Sequence, residues 1–271
     1  MTFTPRLVAL DIDGTLVDAD GVMPEEVHAA VRRVVDAGVP VVLSTGRSWV
    51  ATRPVFEQLG LPPGWAVSAN GAIVVTYPPF EVRREVRFDP SDVVRQVAAV
   101  APHALIGVQD LNRWRVSRPF PDGELQGDVL VQSIDELAAH EVSRVVVREP
   151  NSSEKVFAEL VAKLGLHEVS YFVGWSAWLD IGPQGVDKAH GLAMVCDDLG
   201  VDPADVLALG DGRNDIEMLQ WAGRGVAIGD APDVVKAAAD AVTGPFDELG
   251  TVAELDRWFP PRATEGGLAH W

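Results

Sequence analysis

A chain of 271 residues, 47% hydrophobic and 23% charged, is long enough for one large or two moderate domains, each with a real core. Its 40 acidic against 22 basic residues leave a net charge of −18, which argues against nucleic acid or an anionic membrane as the main partner. The single cysteine, Cys196, excludes an internal disulfide, and with no signal peptide or bilayer-length apolar stretch the cytoplasm is the expected compartment.

The first predicted element is R-L-V-A-L-D-I-D-G-T-L, residues 6–16. Its four apolar residues predict a strand covered on both faces. Side chains alternate in extended chain, so Asp11 and Asp13 project to one side and Ile12 to the other. Two carboxylates held that close repel, and each resists losing water, so the pair calls for a cation or a shared proton. Gly14 permits a sharp turn after them. Asp-Gly is also an ordinary turn signal, and on this stretch alone both readings stand.

Residues 24–38 predict a helix. Pro24 suits the first helical position, Glu25 and Glu26 the first turn, and Gly38 the stop. Val27, Val31, Val34 and Val35 form its apolar face. V-P-V-V-L (39–43) predicts a second buried strand, which completes a βαβ unit and implies a parallel sheet. L-S-T-G-R-S (43–48) follows, and its hydroxyl, glycine and helix start offer donors to an anion. Helix capping by Thr45 or Ser48 explains the same residues equally well.

Between residues 81 and 184 the strands look shorter and alternate more, with helical patterns at 91–101 and 153–164. Elements without strict alternation suggest an α+β insert with an antiparallel sheet. The α/β grammar then returns. G-V-D-K (185–188) puts Lys188 in the first turn of a helix, where the dipole disfavours a cation. Leu192, Cys196 and Leu199 share one face of that helix, so Cys196 is expected in the core. The strand V-L-A-L (206–209) runs into L-G-D-G-R-N-D (209–215), and Asp215 also suits a first-turn helix acid. A helix from about Asn214, a strand at 226–228 and a helix over 232–239 close the pattern, and the Pro- and Gly-rich residues 260–271 are expected to be loose.

These stretches are expected where parallel strands end, the edge at which open α/β sheets place ligands. Asp11, Asp13 and Asp211 would meet there around one hard cation. Oxygen-only ligands without a Cys/His cluster point to Mg²⁺ rather than zinc. Lys188, Thr45 and backbone N–H groups would seat a phosphoryl group beside it. The expected fold is therefore a Rossmann-like parallel-sheet core, residues 1–80 and 185–271, with an inserted α+β cap domain at 81–184.

D-I-D-G-T-L, S-T-G-R, G-V-D-K and G-D-G-R-N-D occur in the order found in the haloacid dehalogenase superfamily. The chain more closely resembles its Cof-type phosphatases, which carry a large (C2-type) cap. S-A-N-G-A-I-V (68–74) and V-A-I-G-D-A-P-D-V-V-K-A-A-A-D (226–240) strengthen the likeness, which covers residues 6–75 and 185–255. The resemblance implies that Asp11 is a nucleophile forming an aspartyl-phosphate and that Asp13 is the acid, then the base. It implies Mg²⁺ ligation by Asp11, the Asp13 carbonyl and Asp211, supported by Asp215. It further implies that Ile12 (through its backbone), Thr45, Gly46, Lys188 and Asn214 bind phosphate. Dehalogenases of the superfamily lack the acid at Asp13, so its presence favours phosphate esters.

One residue departs from the pattern: Asp230 stands where the subgroup usually has Asn, an extra acid near the expected metal edge. Substrate choice is expected in the cap, with Trp114, Arg113, Arg115, His103, Trp175 and Trp178 as candidates. Packing is the more ordinary role of the tryptophans, and a solvated strand face that of the arginines. Arg47, directly after Thr-Gly, is a stronger substrate contact. His28, His140, His167, His190 and His270 show no metal-ligand spacing. The leading function is a Mg²⁺-dependent phosphatase of a small phosphorylated metabolite. A phosphotransferase or phosphomutase using the same intermediate, and a non-catalytic phosphate-binding module, are the alternatives. Oligomeric state is not legible.

Overall fold

The structure, a computed structural model, describes residues 3–150, 152–153, 157, 159, 161–162, 164, 169–174 and 177–261. The first apolar run forms β1 (Leu7–Leu10), buried along its whole length. Its alternation serves two cores at once. Val8 and Leu10 pack with Val27, Ala30, Val31 and Val34 of α1 (Glu25–Asp36), while Leu7 and Ala9 pack with Leu192, Val195 and Cys196 of the helix Lys188–Leu199. A strand sandwiched between helices has no polar face, which is why it reads as a continuous apolar run.

Around β1 lie β2 (Val41–Ser44), β3 (Gly64–Ser68), β4 (Ile73–Tyr77) and β5 (Glu81–Glu85) on one side. The smaller sheet holds β6 (Leu105–Asp110), β7 (Arg113–Val116), β8 (Asp128–Val131), β9 (Arg144–Arg148), β10 (Val169–Gly174) and β11 (Trp178–Pro183). The chain returns to the larger sheet with β12 (Val206–Gly210), β13 (Arg224–Ala227) and β14 (Ala241–Val242). The larger sheet has the order β14-β13-β12-β1-β2-β3-β4-β5, parallel from β14 to β3 with an antiparallel edge at β4 and β5. The smaller has the order β10-β11-β9-β6-β7-β8. The fold is thus a parallel-sheet α/β core with an inserted α+β cap.

Several expectations shift. β5 pairs with β4 in the larger sheet, so residues 81–85 belong to that sheet and not to the insert's. An exposed edge strand alternates like a strand of a half-covered antiparallel sheet, which is why the pattern misplaced it. The smaller sheet is antiparallel except for β7 and β8, which pair in parallel because residues 117–127 carry the chain back along the strand. In α1 it is Ala30 that joins the buried face, with Val35 only half-buried, and Leu199 is 38% exposed at its helix end. The stretch at 214–221 is a single tight turn, Arg213–Asp215, leading into the helix Ile216–Trp221. The helix expected over 232–239 is the single turn Asp233–Lys236. α3 (Ser91–Val100) matches its pattern, whereas most of 153–164 and the tail from residue 262 lie outside the described residues. Among the described residues no helix is long and apolar enough to cross a membrane.

Candidate active site

Asp11 follows β1 directly, and its backbone N–H donates to the Leu209 carbonyl at 3.0 Å, so the strand pairing itself carries it to the edge of β12. Asp211 and Asp215 follow β12 on that same edge. Two backbone donors, the N–H groups of Asp211 (3.0 Å) and Gly212 (2.8 Å), hold one Asp215 oxygen. The other accepts from Lys188 Nζ at 2.6 Å, and the same ammonium donates to Asp11 at 2.7 Å. Lys188 is wholly buried, and Thr15 donates to Asp211 at 3.3 Å. Asp11, Asp211 and Asp215 each place a carboxylate oxygen within 4.8 Å of the other two.

Crowding dominates the electrostatics. Burial, then the charge of Asp215, pushes the Asp11 carboxyl well above its ordinary range, and Lys188 only partly offsets this. Asp211 is pushed up to about 7 by burial and by Asp215. Burial works against the charge of Lys188, but Asp11 and Asp215 overcome it and raise its pKa. With all three ionised, as a bound cation would hold them, the carboxylates and the one ammonium carry a net charge of two minus, the complement of one divalent cation. Hard oxygen donors at this spacing fit Mg²⁺ or a similar ion. Gly14 shapes the seat: its φ is +74°, and a Cβ there would lie 2.4 Å from an Asp211 oxygen.

Asp13 stands apart from this cluster. It is exposed and held by Arg47, whose Nε and Nη2 donate to its two oxygens at 3.0 and 2.5 Å. Thr45 is buried, with its hydroxyl accepting from the Arg47 N–H at 3.1 Å, and Ser48 caps α2 (Trp49–Gln58). Asn214 donates to Asn70 at 2.9 Å beside Gly46. Ile12 is buried, its carbonyl accepting from the N–H groups of Leu16 and Val17. Lys188 does not follow a parallel strand as expected; it follows β11 of the smaller sheet, and its helix carries it against β3 to the floor of the site.

A cleft of about 560 Å³ opens over these groups. Asp11, Asp13, Gly46, Arg47, Asp211 and Asn214 line its floor, with Thr45, Lys188 and Asp215 buried behind. The cap supplies the roof, where Trp114 and Trp178 edge the cleft and also pack with Val116, Val146 and Phe120, the more ordinary role expected of them. Among the described residues, the other cap candidates do not line it. Arg113 and His103 are exposed elsewhere. Arg115 is buried rather than solvated, paired with Asp110 at 2.7 Å, and Trp175 lies outside the described residues, as do His167 and His270. Asp230 is exposed, is not among the three clustered carboxylates, and accepts from the Phe246 N–H at 2.7 Å, so it braces a turn.

Several residues in and beside the cleft escaped the sequence reading. Arg144 donates to the Gly46 carbonyl at 2.6 Å, pairs with Asp180 and lies over the Trp114 ring, with 5.4 Å to the centroid. Glu124 lines the cleft and accepts from Arg148 at 3.0 Å. Asn70 takes a φ of +50°, a conformation that Asn tolerates, and its Asn-Gly dipeptide was the one local signal available.

Carboxylates gathered at the ends of parallel strands and covered by an inserted cap define a capped, doubly wound α/β enzyme with an acidic, metal-seating cleft. Residues 8–255 match the haloacid dehalogenase-like hydrolases, and the chain belongs to that family. It is 28% identical to 5-amino-6-(5-phospho-D-ribitylamino)uracil phosphatase YcsE of Bacillus subtilis, over 93% of this chain and 95% of that one. It is 31% identical to a phosphoglycolate phosphatase of Natronomonas pharaonis, over 92% and 96%. A solved haloacid dehalogenase-like hydrolase from Bacteroides thetaiotaomicron superposes with a TM-score of 0.77 at 25% identity, over 94% of this chain and 100% of that one. The protein is a hydrolase of the phosphatase branch of this family.

Proposed function

We propose that the protein is a Mg²⁺-dependent phosphatase that hydrolyses a small phosphorylated metabolite, a sugar phosphate or phosphorylated cofactor, through an aspartyl-phosphate on Asp11. The observation that carries this reading is Asp11 at the cleft floor, tied to Lys188 and within 4.8 Å of Asp211 and Asp215 oxygens. The carboxylates of Asp11 and Asp211, with the Asp13 carbonyl and Asp215 in support, would hold the ion, which neutralises phosphoryl charge when bound.

Asp11 attacks phosphorus in line, and the bond to the leaving oxygen breaks as Asp13 gives that oxygen a proton. Water then attacks the same phosphorus while Asp13 takes its proton, which frees Asp11 and releases phosphate. Arg47 competes for the Asp13 oxygens, and an arriving phosphoryl group offers Arg47 another partner. Lys188 fixes the Asp11 carboxylate, and Thr45, Gly46, Asn214 and the Ile12 backbone shape the phosphate seat.

Asp11→Asn is expected to lower turnover of p-nitrophenyl phosphate by about 10⁴-fold while the circular dichroism spectrum is kept. Beryllium or aluminium fluoride with Mg²⁺ should inhibit the wild type as a phosphoryl mimic. Wild-type rates in Asp11→Asn would sink the mechanism.

A further inference from the structure

Two guanidinium groups and five carboxylates line the cleft among the described residues. Both guanidiniums are committed. Arg47 holds Asp13 through two donors, and Arg144, only 6% exposed, holds Asp180 and the Gly46 carbonyl. Lys188 is behind the floor with Asp11 and Asp215. With a phosphoryl group seated on the floor, the rest of the ester meets the roof: the carboxylates of Glu124 and Asp180, the Gln126 amide and the Trp178 ring.

We propose, resting on the phosphatase reading above, that this roof selects esters whose leaving group carries no negative charge. Neutral or cationic hydroxyl-bearing groups are accepted, and leaving groups with a carboxylate or second phosphate are rejected. The reason is partner exchange. Arg47 is taken by the phosphoryl group, so a second anion on the roof gains a guanidinium by stripping Arg144 from Asp180 or Arg148 from Glu124, which leaves a carboxylate without that partner beside the newcomer. A sugar hydroxyl donates to Glu124 or Asp180 with both pairs intact. An ammonium gains from the same carboxylates and from the face of Trp178.

Glucose 1-phosphate, glucosamine 1-phosphate and glucuronic acid 1-phosphate share one ring and differ in charge. Each is measured as a substrate with Mg²⁺ and as a competitor of p-nitrophenyl phosphate, so that a slow substrate still reports through its inhibition constant. The glucuronic ester is expected to be weaker than the glucose ester by more than about fivefold, and the glucosamine ester at least as good. Glu124→Gln makes the roof one charge less negative and should narrow the glucose-to-glucuronic gap by about threefold. A glucuronic ester within about fivefold of glucose, or a gap unmoved in Glu124→Gln, overturns the inference. Failure to hydrolyse even p-nitrophenyl phosphate overturns the phosphatase reading instead, and calorimetric binding of the three sugars with Mg²⁺ then decides charge selection by itself.

Discussion

On the floor of the cleft, Asp215 is held by backbone N–H groups and, like Asp11, by a wholly buried lysine. On the roof, Glu124, Arg144 and Asp180 are held by Arg148, by one another and by an aromatic ring. The floor is therefore anchored in the sheet, where moving one group means moving β1 or β12. The roof is a set of side-chain pairs whose partners can change without disturbing a strand. The proposed chemistry, which demands fixed geometry, uses the first, and the proposed discrimination among leaving groups uses the second. Arg144 joins them, because its guanidinium reaches from the cap to the carbonyl of Gly46.

Perturbing each side tests that division. Lys188→Met leaves Asp11 and Asp215 buried without their counter-charge and should cost about 3–5 kcal/mol in urea denaturation, with hydrolysis lost. A variant as stable and active as wild type would show that the floor does not depend on this pair. Next in size is metal binding: Mg²⁺ at 100 times its dissociation constant should stabilise the fold by about 2.7 kcal/mol, an increment missing in Asp211→Asn. A thermal melt with and without EDTA measures it.

Gly14→Ala puts a Cβ against Asp211 at a positive φ, and the backbone strain alone should cost about 1–3 kcal/mol. A Mg²⁺ titration should also show weaker binding, and unchanged affinity would mean that the Gly14 turn does not shape the seat. The smallest effect belongs to the roof. Arg144→Ala should reduce kcat/KM for a sugar phosphate about tenfold, and p-nitrophenyl phosphate, which asks less of the roof, should suffer less. Equal losses on both substrates would place Arg144 with the floor machinery instead.

Legibility in the sequence follows the same boundary. The floor residues Asp11 and Asp211 were marked by their place just after apolar strands, a local pattern of two or three positions, whereas Asp215 read locally as a first-turn helix acid and gained its metal role from the family resemblance. Lys188 was marked only as a cation out of place at a helix start. For Arg144 and Asp180 no such mark exists: each is a charged residue on an alternating strand, and V-S-R-V-V-V-R reads the same whether its arginines face water or a cleft. Glu124 lies in a connecting loop with no periodicity. β5 was misassigned for a related reason, since an exposed edge and a half-covered antiparallel strand alternate alike.

What the amino-acid order determined alone was local: which residues make strands and helices, which side chains share a face, and where a turn opens backbone donors. Those properties depend on neighbours within a few positions. The tertiary structure decided which charges are neighbours. Lys188 meets Asp11 across 177 residues, and Arg144 reaches Gly46 across 98. Coulomb and hydrogen-bond energies depend on distance through space, and chain spacing does not encode that distance until the sheets have formed.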